Sequence, residues 1–151
     1  MACSAHAEVL TGQVVGIADG DTITVLDGRR QQHKIRLAGI DAPEKKQAFG
    51  ERSRQNLAAM VFSKTVSVEW IKKDRYGRMV GKVMINGVDA NLEQVKAGMS
   101  WWYEKYRREQ SAADQRIYAD AERQARVARV GLWRDPVSVA PWDWRSAKRA
   151  R

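Results

Sequence analysis

The stretch EVLTGQVVGIADGDTITVLDGRRQQHKIRLAGIDAPE, residues 8–44, decides the fold. Residues 8–17 and the run DTITVL at 21–26 are rich in β-branched side chains, which suit a pleated, half-buried surface. Between them ADGD is turn chemistry, and Asp27-Gly28 supplies a second turn of hairpin type. A third strand is expected from about His33 to Ala38. Three strands joined by short turns form an antiparallel meander. The meander ends in charged groups around an apolar run: Arg36, then Leu37 to Ile40, then Asp41 and Glu44. Leu37 to Ile40 is expected to carry the strand across a barrel wall. Pro43 fixes the backbone and removes a donor, so the strand must stop there.

Beyond Pro43 the periodicity changes. Leu57, Met60 and Val61 recur at helical spacing and predict a helix over about 48–63. TVSVEWI then alternates Val66, Val68 and Trp70 as a strand with one buried face. GRMVGKVMING is a further strand, paired across KKDRYG and closed by a turn at Asn86-Gly87. VDANLEQVKAG reads as a short helix with Gly98 at its C-cap. A longer amphipathic helix is predicted from Ser111, its N-cap, to about Arg129, with Ile117, Ala121, Ala125 and Ala128 on one face and Gly131 ending it. Five strands interrupted by a helix, then two helices, imply an α+β protein dominated by a small closed β-barrel. The remainder reads as an irregular basic tail whose Trp133, Trp142 and Trp144 pin it to the barrel.

The chain has 151 residues, 44% of them hydrophobic and 30% charged, which suits one globular domain. Its formal net charge is +9, and residues 101–151 hold 12 basic against 7 acidic groups. Such a surface attracts polyanions, although charge alone fits a solvated face equally well. No stretch has the length and apolarity of a membrane span. A single cysteine, Cys3, excludes an intrachain disulfide framework. Residues 1–7, with the small-x-small pattern Ala5-His6-Ala7, read as the stub of a trimmed export signal, with chance in an Ala-rich start as the alternative.

With only His6 and His33, histidine-based catalysis and zinc have little material, and His33 reads as a surface or pairing residue. Carboxylates and guanidiniums are what remains. Asp19 and Asp21 bracket Gly20; alone they read more readily as a turn than as a ligand pair, and the run that follows is no EF-hand. Asp41 stands where the third strand ends, beside the strand that starts at Asp21. Two carboxylates brought that close need a proton or a cation between them, and a hard cation suits oxygen ligands. Arg36 and Arg78 could add guanidiniums matched to a phosphate. Each also has a bland reading, as a cross-strand salt bridge and a hairpin surface charge.

In order and approximate spacing, ADGDT (18–22), IRLAGIDAPE (35–44), DRYGR (74–78) and GLW (131–133) resemble the staphylococcal nuclease, or thermonuclease, family. The similarity spans about residues 8–135, leaving 136–151 as tail. It implies a five-stranded OB-fold Greek-key barrel with three α-helices, and Ca²⁺-dependent hydrolysis of DNA and RNA within the strand to 3′-phosphate ends; Mg²⁺ is the lesser alternative. Carried over by position, the resemblance makes Asp21, Asp41 and the backbone carbonyl of Ala42 the metal ligands. Asp19 becomes an outer partner of the metal site, Arg36 and Arg78 the phosphate clamp, and Glu44 the group that orients or deprotonates water. Arg75, Tyr76, Tyr103 and Tyr106 become nucleic-acid contacts. Ala42 departs from the family, which often has Thr there; the carbonyl survives but a hydroxyl is lost. The segment from Glu44 to the first helix looks short, which implies an open site.

WWYEKYRR (101–108) interleaves aromatic and basic residues, suited to stacking on bases beside backbone neutralisation. One of Trp101 and Trp102 is expected to be buried and Tyr103 to face substrate. The competing reading is a non-catalytic nucleic-acid-binding barrel. It has no use for Glu44 or for clustered carboxylates that repel a polyanion. The chain is expected to be a monomer with no membrane association, and the resemblance implies a secreted or periplasmic protein.

Overall fold

The computed structural model describes residues 7–150, so Cys3 and most of the Ala5-His6-Ala7 pattern lie outside the described residues. Eight strands and four α-helices follow in the order β1 (Glu8–Asp19), β2 (Thr22–Leu26), β3 (Gln32–Leu37), β4 (Ile40–Asp41), α1 (Gly50–Val61), β5 (Thr65–Lys73), β6 (Met79–Ile85), β7 (Val88–Asp89), α2 (Ala90–Lys96), β8 (Trp101–Trp102), α3 (Ala112–Ala128) and α4 (Pro141–Arg149). Two 3₁₀ segments, Glu104–Glu109 and Gly131–Arg134, flank α3.

The predicted meander is present: β1 pairs with β2 and β2 with β3, all antiparallel. The other side of β1 pairs with β5, and β5 pairs with β6. A parallel pairing of β3 with β6, Ile35 opposite Met79, then closes five strands into a mixed barrel. Closure removes the exposed edges that an open sheet would leave. The barrel is filled by Val14, Ile23, Val25, Ile35, Leu37, Val66, Val68 and Val83. Leu57 and Val61 of α1 and Val95 of α2 cap it, together with Tyr118 and Ala121 of α3. Asn86 and Gly87 both take positive φ, as the β6–β7 hairpin requires.

Four details differ from the sequence reading. First, the strand does not run through Leu37 to Ile40: β3 stops at Leu37, Ala38-Gly39 form a turn, and β4 begins at Ile40. Gly39 has φ +77, a left-handed conformation in which a side chain is strained, and a Cβ there would also strike Gln110. Second, α3 has Ser111 as its N-cap, accepting from the Asp114 amide at 3.1 Å, but it buries Tyr118, Ala121 and Ala125. Ile117 is 47% exposed. The Tyr118 hydroxyl donates to Asp89 at 2.5 Å, so a polar handle lets the larger ring take the core position. Third, α3 ends on Arg129 in the left-handed conformation (φ 52), two residues before Gly131. Fourth, the tail is not irregular. Pro141 begins α4 at the first helical turn, where a missing N–H costs nothing, rather than breaking the chain. Among the described residues the α-helices therefore number four, not three.

Asn91 of α2 is fully buried and ties the turn to the barrel. Its Nδ2 donates to the Ala38 carbonyl at 3.0 Å and the Gly81 carbonyl at 3.1 Å, and its Oδ1 accepts the Val83 amide at 3.1 Å. Asn91→Leu leaves buried backbone groups unpaired, and urea unfolding should register a loss of about 2–4 kcal/mol. A loss well under ~1 kcal/mol would contradict this clamp.

Candidate active site

The strand ends that surround the Ala38-Gly39 turn supply the site. Asp19 closes β1, Asp21 precedes β2, Arg36 lies near the end of β3, Asp41 closes β4, and Glu44 follows on the loop. Asp21 and Asp41 are 9% and 4% exposed. Asp21 is fixed from two sides: Oδ2 accepts the Ala42 amide at 2.8 Å and Oδ1 the Thr22 hydroxyl at 3.0 Å. Ala42 thus enters the site through its N–H, which holds Asp21 against the end of β4. Asp19 accepts the Asp21 amide at 3.2 Å. The close passage of Gly20 over Ser53, where a Cβ would collide with the hydroxyl, sets this turn down on α1.

Burial, reinforced by the charge of Asp21, pushes Asp19 up to about 8. Burial pushes Asp41 up to about 7, helped by Asp21 and opposed by hydrogen bonds from Arg145. These carboxylates hold protons or attract a cation. Among the described residues no group of three or more His, Cys, Asp or Glu is arranged to hold a metal ion. A cation here would rest on the two carboxylates Asp21 and Asp41, with backbone oxygen and water completing its shell. An all-oxygen, partly hydrated set of this kind fits Ca²⁺ or Mg²⁺ and not zinc.

Both expected phosphate-binding arginines reach the site, each held by a carboxylate outside the Asp19–Asp21–Asp41 group. Arg36 Nη1 donates to Glu109 at 3.1 Å, and Lys72 Nζ lies 3.2 Å from the other Glu109 oxygen. The rings of Tyr103 and Tyr106 stand 5.6 and 5.7 Å from the Arg36 guanidinium. Burial works against the Arg36 charge, but Glu109, Asp21 and Asp41 together hold its pKa above the ordinary arginine value. Arg78 Nε donates to Asp74 at 2.7 Å. Asp74 also accepts the amides of Tyr76 and Arg78 at 2.9 and 3.0 Å. Burial would raise Asp74, but these bonds outweigh it and keep Asp74 below the usual carboxylate range. His33, as anticipated, is a pairing residue, 2.8 Å from Asp27.

A cleft of about 1460 Å³ gathers every anticipated side chain: Asp19, Asp21, Arg36, Asp41, Glu44, Arg75, Tyr76, Arg78, Tyr103 and Tyr106. Lys72, Lys73, Lys105, Arg107 and Arg108 also line it and make it basic. Tyr76 and Tyr106 are exposed. Tyr103 is not: it is 8% exposed and stacked beneath Trp142, centroids 5.1 Å apart and planes 11° apart. Trp101 and Trp102 are both half-buried, so neither is the buried member of a pair. Trp101 packs edge-on against Trp133 at 4.5 Å and Trp142 at 5.4 Å, which does pin the tail. Trp144 instead carries the Lys148 ammonium 5.1 Å from its ring.

The tail also contributes residues to the cleft that the sequence did not single out. Arg145 of α4 donates from Nη1 and Nη2 to the two oxygens of Asp41, at 3.1 and 2.7 Å, and from Nη1 to Glu44 at 2.7 Å. Its partners raise the Arg145 guanidinium well above the arginine value. Gln47, on the loop after Glu44, donates to the Val139 carbonyl at 2.7 Å. The tail therefore covers the short loop that was expected to leave the site open. Glu109, the partner of Arg36, was missed as well; only its place in a run of charged residues marks it.

A model of the staphylococcal nuclease homologue family matches residues 34–135. The chain belongs to that family. Protein ParB of Escherichia coli is 46% identical over 160 residues, an alignment spanning all of this chain and 87% of that protein. An uncharacterized endonuclease of Escherichia coli O157:H7 is 42% identical across 91% of the chain and 86% of its own length. A micrococcal nuclease of Shigella flexneri is 43% identical across 91% and 82%. With homologues of these names, this member of the staphylococcal nuclease family is a nuclease, a hydrolase acting on nucleic acid. Among its described residues no helix is long and apolar enough to cross a membrane.

The raised Asp19 gives a pH test. A carboxyl whose folded pKa of about 8 exceeds its unfolded value of 3.8 stabilises the fold fully below pH 4 and loses that contribution as pH rises toward 8. Without added cation, the gain in melting temperature of Asp19→Asn over the parent should therefore be clearly larger at pH 8.5 than at pH 5. Calorimetric scans in which the variant melts lower at pH 8.5 would contradict a half-buried, charge-strained Asp19.

Proposed function

We propose that the chain is a Ca²⁺-dependent nuclease that cuts phosphodiester bonds within DNA and RNA strands and leaves 3′-phosphate ends. The observation that carries this reading is the burial of Asp21 and Asp41 side by side in an otherwise basic cleft. Glu44 lies within reach of the same guanidinium as Asp41, and Arg36 and Arg78 line the same space. A domain that only bound nucleic acid would be weakened by such carboxylates. The names of the Shigella and Escherichia coli relatives point the same way.

A bound Ca²⁺, held by Asp21, Asp41 and the Ala42 carbonyl, would supply positive charge against the diester. The chain's own groups do the rest. Arg36 and Arg78 offer forked donors to the non-bridging oxygens, and the negative charge that builds as phosphorus becomes five-coordinate strengthens both contacts. Their fixed partners, Glu109 and Asp74, keep the forks oriented before substrate arrives, so little reorganisation is left for the reaction itself. Glu44 accepts the proton of the attacking water as its oxygen bonds to phosphorus. The bond to the 5′-oxygen breaks, that oxygen takes up a proton, and the phosphate stays on the 3′ side. Tyr76, stacked with Arg75 and Arg78, and Tyr106 offer faces to flanking bases.

Incubation with single- and double-stranded DNA should give cleavage in Ca²⁺ and none in excess chelator. Equal inertness in both would end this proposal. Glu44→Gln should lower the rate by roughly 10²–10³ while DNA retention in a filter-binding assay stays near the parent value. Cutting at the parent rate would remove Glu44 from the chemistry.

A further inference from the structure

α4 lies beyond the 34–135 span that the family model matches, yet it delivers one guanidinium to the centre of the cleft. Arg36 and Arg78 each spend a donor on Glu109 or Asp74. Among the described residues Arg145 has no carboxylate partner outside the cleft: its three hydrogen bonds to carboxylates go to Asp41 and Glu44, and it also reaches the Tyr103 hydroxyl. It is thus the cation that directly neutralises the pair of carboxylates on either side of Ala42 and Pro43. We infer that Arg145 is a built-in counter-ion that a divalent cation must displace from Asp41.

The geometry makes the two occupants exclusive in effect. Arg145 grips both Asp41 oxygens in a fork, and a cation drawing on the same carboxylate meets a like charge at hydrogen-bond range. A monovalent ion brings no more charge than the guanidinium it would replace and forfeits three hydrogen bonds. A divalent ion brings twice the charge. Arg145 therefore sets a threshold that favours divalent over monovalent occupants.

The helix itself has no need to leave. Ala140 and Pro141 are buried, Trp142 stacks on Tyr103 and meets Trp101 edge-on, and Gln47 holds the Val139 carbonyl. None of these contacts involves the Arg145 side chain, which is 30% exposed and long enough to swing. Displacement is a side-chain movement on a docked helix. It also frees Glu44 from its 2.7 Å bond to Arg145, so that the carboxylate can accept a proton.

This inference rests on the metal-dependent reading above, and its test uses binding without nucleic acid. Calorimetric titration of the full chain with CaCl₂ should show Arg145→Gln binding roughly tenfold more tightly than the parent, about 1.4 kcal/mol. Arg149→Gln removes the same charge from α4, at a residue that lines the same cleft but bonds to Ser146 and not to the carboxylates, and should change the affinity far less. Equal affinities for the parent and Arg145→Gln would overturn the counter-ion role while leaving the nuclease reading intact. Matching gains in both variants would also overturn it, by showing only a general charge effect. Absence of Ca²⁺ binding in all three proteins would overturn the metal-dependent reading and this inference with it.

Discussion

The chain reverses at Ala38-Gly39, and the placement of nearly every charged group in the cleft depends on that turn. It is held on three sides. The Ala38 amide donates to the Gly81 carbonyl at 2.8 Å, Asn91 reaches the Ala38 carbonyl, and the Gly39 carbonyl accepts the Tyr103 amide at 2.8 Å. Without the turn, β3 would run on and Asp41 would be carried away from Arg36. With it, Ile40 and Asp41 pair with Trp102 and Trp101 as a separate two-stranded sheet. That pairing in turn sets the segment carrying Tyr103, Tyr106 and Glu109 beside Arg36. Buried backbone groups in so tight a bend are costly if unpaired, and here the side chain of Asn91 and the strand β6 satisfy them.

Charge in the cleft is arranged in two ranks. Asp21 and Asp41 are buried and Asp19 is half-buried beside them; burial, with the charge of Asp21, pushes Asp19 and Asp41 far above the usual carboxylate range, so this group is short of positive charge. Arg36 and Arg78 stand in the same space but are committed to Glu109 and Asp74, which stiffens them as donors without discharging the acidic group. Arg145 brings positive charge directly to it, through its fork on Asp41. The result is a cleft rich in basic side chains, attractive to a polyanion, with its least neutralised carboxylates gathered at Asp19, Asp21 and Asp41.

Local pattern was enough for the barrel. β-branched runs, Asp-Gly and Asn-Gly turns and the stop at Pro43 carry their own stereochemistry, and the strands they predict are present. The Asp21, Arg36, Asp41, Glu44 and Arg78 set was legible as well, because strand ends and ordered motifs bring it together. What escaped was non-local. Leu37 to Ile40 carries no polar side chain, so only Gly39 hinted at the turn, and its partners Gly81 and Asn91 lie far along the chain. Tyr118 displaced Ile117 from the core through a hydroxyl bond to Asp89, 29 residues away. α4 was hidden because Pro141 looks like a breaker and its stability comes from distant contacts of Trp142 with Trp101 and Tyr103. The Arg145–Asp41 pair spans 104 positions, and no spacing rule reaches that far.

A crystal structure of the chain grown with Ca²⁺, with anomalous data to identify the ion, tests the central claim most directly. The account predicts one ion at roughly 2.3–2.6 Å from oxygens of Asp21 and Asp41 and from the Ala42 carbonyl, with the Arg145 guanidinium no longer on Asp41. Arg145 still paired with both Asp41 oxygens, and no ion in the cleft, would contradict it.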